Sequence, residues 1–125
     1  MTNIYGSLIN GEWCNVGNEI ANINPSESSQ VLGHLISANA SQIDDAVSAA
    51  RHAQPLWSAV KLEDKKNILY SIGQELMDRS DEIGKILSSE EGKPFAEGRG
   101  EVFRAGEFYQ YYAAECLRQI GESAA

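Results

Sequence analysis

Two carboxylate pairs, Glu90 with Glu91 and Glu97 with Glu101, flank Gly92-Lys93-Pro94 in the stretch SSEEGKPFAEGRGEV, residues 88–102. Paired carboxylates can do general acid–base work, provided that one holds a proton the other lacks. Acids at helix ends and at i,i+4 are equally the ordinary solvated surface of a helix, and the pattern here offers no cleft to perturb them. The glycines beside Lys93 invite comparison with a phosphate-cradling loop. However, Gly-x4-Gly-Lys-Ser/Thr is absent and no strand precedes the segment. The stretch therefore reads as a joint between helices, with Gly92 closing one and Pro94 opening the next.

Other reactive side chains are few. His34 and His52 are the only histidines, and neither has a second ligand at zinc spacing, so a metal site is not expected. Cys14 and Cys116 lie far apart without a Cys-x-x-Cys spacing, which suits a reduced, cytoplasmic setting. A thiol becomes a nucleophile only beside a base or with a lowered pKa. Cys116 falls on the inner stripe of the last helical pattern and reads as a small buried hydrophobe, while Cys14, beside Trp13 and a turn, reads as partly exposed.

The chain of 125 residues is one domain's worth of material, with 42% hydrophobic and 22% charged residues. Eighteen acidic residues against ten basic give a net charge of -8. A nucleic-acid partner would need clustered Lys and Arg, and the pair Lys65-Lys66 directly follows Glu63-Asp64. The N-terminus lacks a basic-then-apolar leader, and no apolar run approaches the roughly 20 residues of a membrane span.

The elements that must position these residues change character near residue 40. Segments SLINGEW, EIANINP and VLGHLISA in residues 1–40 have strand composition. Asn10-Gly11 is a strong two-residue hairpin signal, and Asn24-Pro25 marks a second turn. Residues 41–125 have helical period. The first helix starts at Ser41, capped with Asp44, and places Ile43, Ala46, Val47, Ala50, Ala53 and Trp57 on one face. Pro55 is expected to kink or end it, leaving Trp57 as a core anchor. The second helix runs from Leu62 to Arg79 with Ile68, Leu69, Ile72 and Leu76 inward, and Gly73 within it suggests a close helix crossing. Ser80 caps a third helix that buries Ile83, Ile86 and Leu87. The fourth, from Pro94, carries an inner stripe of Val102, Gly106, Tyr109, Ala113, Cys116 and Ile120, and Tyr111 and Tyr112 widen its apolar surface. The fold class is α+β: a β-hairpin and short strands followed by about four helices.

The ordered set LINGEW, NINPSES, VLGHLISA, IDDAVSAARHAQPLW, ILYSIGQEL, EEGKPFAEGRGEV and YYAAECLRQIGES resembles the amino-terminal part of the aldehyde dehydrogenase superfamily along essentially the whole chain. The resemblance implies that residues 1–125 are the leading portion of a cofactor-binding domain, whose helices pack on a Rossmann-like sheet supplied later in sequence. It implies a longer enzyme that oxidises an aldehyde to a carboxylate with NAD or NADP. The family's cysteine nucleophile, glutamate base, oxyanion asparagine and glycine-containing cofactor segment correspond to positions beyond Ala125. No catalytic or cofactor-binding role is therefore carried onto this chain, Cys14 and Cys116 included, and alone it is expected to bind no cofactor and turn nothing over. The family places one face of the fourth helix beside the aldehyde passage, where the matching position is Arg104. An arginine there suits an aldehyde with a distal acid group, such as a semialdehyde; pairing with Glu101 or Glu107 is the alternative. Partners are then the remainder of the enzyme, the aldehyde, and a second copy docked through Tyr109 and Tyr112. The alternative is a short, non-catalytic assembly module.

Overall fold

The computed structural model describes residues 3–118 and 121. Five strands, β1 (Ile4–Tyr5), β2 (Ser7–Ile9), β3 (Glu12–Cys14), β4 (Asn18–Ile23) and β5 (Val31–Ser37), precede four helices. These are α1 (Ala40–Ala59), α2 (Leu62–Asp78), α3 (Ser80–Glu91) and α4 (Phe95–Glu115), in the expected α+β order. The chain forms two compact units, one from residues up to Ala59 with Ser89–Lys93, the other from Val60–Ser88 with Pro94 onward.

In the first unit, β2 and β3 pair antiparallel, with Leu8 opposite Trp13 and Ile9 opposite Glu12. Asn10 and Gly11 turn the chain with φ of 52° and 83°, the double positive φ that a type I′ turn requires. A separate sheet has the order β1-β5-β4, with β1 parallel and β4 antiparallel to the central strand. The two-residue β1 was not expected from sequence. The β4–β5 connection is a closed turn: the Asn24 side chain accepts from the Ser26 amide and donates to Gln30, and their backbones meet at 3.0 Å.

The first helix differs from expectation in its cap, and of the two outcomes expected of Pro55, a kink or an end, it does not end there. Its cap is formed by Asn39 and Gln42, each side chain accepting the other's backbone N–H at 3.0 and 2.7 Å, instead of by Ser41 and Asp44. Gln42 also reaches back into the strands. Its Nε2 donates to the Val16 carbonyl at 2.9 Å and to Cys14 Sγ at 2.8 Å. At the other end α1 continues through Pro55 to Ala59. Proline removes the bond to the Arg51 carbonyl, but residues 51–59 are all exposed, so water can satisfy that oxygen. Trp57 consequently lies inside the helix and is 45% exposed, not a core anchor. Ile43 and Val47 on the same face are exposed too.

In the second unit α2 crosses α4 at two glycines. A Cβ on Gly73 would stand 2.6 Å from the Gly106 carbonyl oxygen, and one on Gly106 would stand 2.6 Å from that of Gly73. The close crossing expected of Gly73 is therefore present. A similar approach joins α3 to α4, where a Cβ on Gly84 would meet the Arg99 backbone at 2.6 Å. Val102, Gly98, Gly106 and Ala113 are buried along α4, Ala113 completely. Several residues expected inward are not: Ile68, Ile72, Ile86 and Tyr109 are exposed, and Ile83, Leu87 and Cys116 only half-buried. Helices crossing through glycine contact along one narrow line, which leaves side chains a turn away uncovered. Ile120 lies outside the described residues.

The α2–α3 joint is held by Arg79, whose Nε and Nη2 donate to both Glu82 oxygens at 3.0 Å and whose Nη1 meets Glu75 at 2.9 Å. These bonds from Arg79 hold the Glu82 carboxyl below the usual carboxylate range, and Arg79 itself is raised by the same pairing. The first bond of α3 runs from Ile83 N–H to the Arg79 carbonyl, so the cap falls one residue before Ser80.

Candidate functional site

The Glu-Glu-Gly-Lys-Pro joint is built for connection. Glu90 accepts a hydrogen bond from Asn22 Nδ2 at 2.8 Å, and Glu91 pairs with Lys93 at 2.5 Å. Gly92 takes φ 72° after the last helical residue, and its carbonyl accepts from Ser26 Oγ at 2.8 Å. Pro94 occupies the cap of α4, its carbonyl receiving the Glu97 and Gly98 amides at 3.0 and 3.2 Å. These contacts leave the carboxylates exposed and engaged in structure, with Glu97 and Glu101 on the exposed side of α4.

The remaining reactive residues also have local partners. His52 Nδ1 meets the Ser48 carbonyl one turn back at 2.8 Å, and His34 lies 3.6 Å from Glu19 across β5 and β4. Cys14 receives an amide hydrogen bond from Gln42, and Cys116 sits at the C-cap of α4. Both thiols are free. Among the described residues no group of three His, Cys, Asp or Glu could hold a metal ion.

A dinucleotide needs glycines whose backbone amides can approach its pyrophosphate. The space over Gly92 is filled by Pro25 and Ser26, each 2.8 Å from where a Cβ would stand, and that over Gly98 by Ser88. Gly100 faces open space but lies within α4, where its amide belongs to the helix ladder. Gly92 and Gly98 therefore serve a helix end and a helix contact.

What the fold does present is the outer side of α4. The Gly73–Gly106 crossing fixes the helix, and three residues at i, i+4 and i+7 project from it: Arg104, Phe108 and Tyr111. Phe108 and Tyr111 are 59% and 56% exposed. Tyr111 meets Tyr112 edge to face with ring centroids 5.3 Å apart. Arg104 is exposed and enters no ion pair or side-chain hydrogen bond among the described residues, so neither Glu101 nor Glu107 holds it. One step around the helix, Leu69, Ala105, Phe108, Tyr109 and Tyr112 line an apolar groove of about 430 Å³. An unpaired guanidinium at the head of an aromatic ridge can grip a carboxylate while the rings cover an aliphatic chain. Phe108 was not singled out from sequence, although its spacing of four from Arg104 was readable.

This chain is similar to the NADP(+) succinate-semialdehyde dehydrogenase of Escherichia coli strain K12, with 33% identity over 94% of the chain and 24% of the relative. It is similar to the alpha-ketoglutaric semialdehyde dehydrogenase of Bacillus subtilis strain 168, 30% identical over 96% of the chain and 25% of the relative. Among solved structures, aldehyde dehydrogenase 21 of Physcomitrella patens, in complex with the reaction product succinate, superposes with a TM-score of 0.87. It is 30% identical, covering 98% of this chain and 25% of that one. The chain thus spans about a quarter of the length of the relatives it matches. The family model for aldehyde dehydrogenases matches residues 13–125, and the chain belongs to the aldehyde dehydrogenase family, corresponding to its amino-terminal segment.

Proposed function

We propose that this chain is the leading portion of the cofactor-binding domain of a cytoplasmic, NAD- or NADP-dependent aldehyde dehydrogenase whose substrate is an aldehyde with a distal carboxylate. Arg104 would hold that carboxylate. The observation that carries the reading is the exposed, unpaired guanidinium at the head of the Phe108–Tyr111 ridge. Two relatives named for acid-bearing semialdehydes, and a similar structure holding succinate, support the substrate class. Chemistry would be supplied by polypeptide other than these residues, so the 125-residue chain alone is expected to show no turnover with aldehyde and NAD(P).

The test is kinetic and uses the enzyme that contains this segment. Charge-assisted hydrogen bonds contribute about 1.5–3 kcal/mol, which corresponds to about ten- to a hundredfold in affinity. Arg104→Ala is therefore expected to raise KM for acid-bearing aldehydes by about that factor and to leave neutral aldehydes of the same length nearly unchanged. An equal loss on both would overturn the assignment.

A second reading concerns the chain by itself. The apolar groove edged by exposed Phe108, Tyr109 and Tyr112 favours self-association into a dimer, as expected of a short assembly module. Sedimentation of the chain should then be concentration-dependent, and Tyr112→Glu should shift it to monomer. A monomer at every concentration, without binding of a hydrophobic dye, would count against it.

A further inference from the structure

We propose that Asn10 is a site of spontaneous covalent modification, where the asparagine amide is lost and the β2–β3 hairpin carries an aspartate or isoaspartate in its place. Asn10-Gly11 is the only Asn-Gly in the sequence; the other asparagines precede Ile, Val, Glu, Pro or Ala. Each of those followers puts a Cβ beside the backbone nitrogen that must attack, and glycine does not. Space over Gly11 is open, with no heavy atom within 4 Å of where a Cβ would stand. Asn10 is exposed, and its amide makes no hydrogen bond among the described residues, so nothing holds its Cγ away.

The reaction needs only water. The deprotonated Gly11 nitrogen attacks Asn10 Cγ, forming the N–Cγ bond of a five-membered succinimide as the Cγ–Nδ2 bond breaks and Nδ2 leaves as ammonia. Water then opens the ring at Cγ to give aspartate, or at the main-chain carbonyl to give isoaspartate. No group is oxidised or reduced. The tight turn must open for the nitrogen to reach Cγ, and this hairpin opens readily: three residue pairs hold it, and Leu8 and Trp13 are both exposed.

Both products alter the first unit. The new carboxylate enters a cleft of about 390 Å³ lined by Ile9, Asp45, Ser48, Ala49 and His52 as well as residue 10, placing a second negative charge beside Asp45. Isoaspartate also adds a methylene to the backbone, so a two-residue turn no longer brings Ile9 opposite Glu12.

The full chain should be incubated at mildly alkaline pH in isotopically labelled water and mapped by proteolysis and mass spectrometry. Label should enter residue 10 at a rate an order of magnitude above that of any other asparagine. Gly11→Asn keeps a residue that tolerates positive φ but crowds the nitrogen, and should suppress the reaction at residue 10. The ranking within the unmodified sequence needs no variant. If Asn10 reacts no faster than Asn39 or Asn67, the proposal is overturned.

Discussion

Gly106→Ala is expected to destabilise the second compact unit by about 1–3 kcal/mol, the usual cost of overpacking, whereas Gly100→Ala, on the same helix, stabilises it by about 0.5–1 kcal/mol. Both changes remove a glycine from the interior of α4, where alanine is the better helix former by about 1 kcal/mol. What separates them is the space a Cβ would enter. Over Gly100 there is no heavy atom within 4 Å, so only the propensity gain remains. Over Gly106 stand the Gly73 carbonyl oxygen and Met77 Cγ, each at 2.6 Å. Met77 can swing away, but the Gly73 carbonyl is fixed in the α2 ladder, so the helices must separate and the contacts beside the crossing loosen. Chemical denaturation of both variants checks the opposite signs. If Gly106→Ala matches or exceeds the parent in stability, the helices are not held by the glycine crossing.

Features fixed by backbone chemistry within a few residues were legible from sequence. Asn10-Gly11 made its turn because few residues accept two successive positive φ values, and Gly92 and Pro94 divided α3 from α4 because one ends helices and the other starts them. Features that depend on what covers a surface were not. Trp57 and Val47 have the periodicity of a buried face, yet they are exposed among these residues, since hydrophobic period specifies a face and says nothing of its partner. Pro55 left two outcomes open, a kink or an end, and sequence alone did not say that α1 would run on to Ala59. At the candidate site, Arg104 could be placed on α4 from the resemblance. Its freedom from Glu101 and Glu107 depended on side-chain positions that spacing leaves open. The Asn39-x-x-Gln42 cap was readable as a pattern, and Ser41 with Asp44 competed for the same role two residues later.

Gln42 is where the first unit is most exposed to a single change. It is 8% exposed, and its side-chain amide serves both ends of one bond network: Oε1 accepts from the Asn39 amide, and Nε2 donates to the Val16 carbonyl and the Cys14 sulfur. Leucine at this position keeps similar volume and adds apolar surface, a gain that would prevail if burial alone mattered. It also takes their protein partner from the Asn39 N–H and the Val16 carbonyl; both residues are exposed, so water recovers part of the loss and each bond is worth about 0.5–1.5 kcal/mol. The bond from the backbone N–H of residue 42 to Asn39 Oδ1 survives the change, so only half of the reciprocal cap is lost. Gln42→Leu is therefore expected to destabilise the unit by about 1–3 kcal/mol, with the polar losses exceeding the apolar gain. Cys14→Ala removes only the weak sulfur acceptor and should cost much less, because Nε2 keeps its bond to Val16. Asn39→Ala should fall between them, since Gln42 retains its contacts to the strands. Amide hydrogen exchange separates these cases by place as well as size: Gln42→Leu should lose protection both in the first turn of α1 and around Val16, and Asn39→Ala in the first turn alone. Loss confined to α1 in Gln42→Leu would mean that the strands do not depend on this side chain.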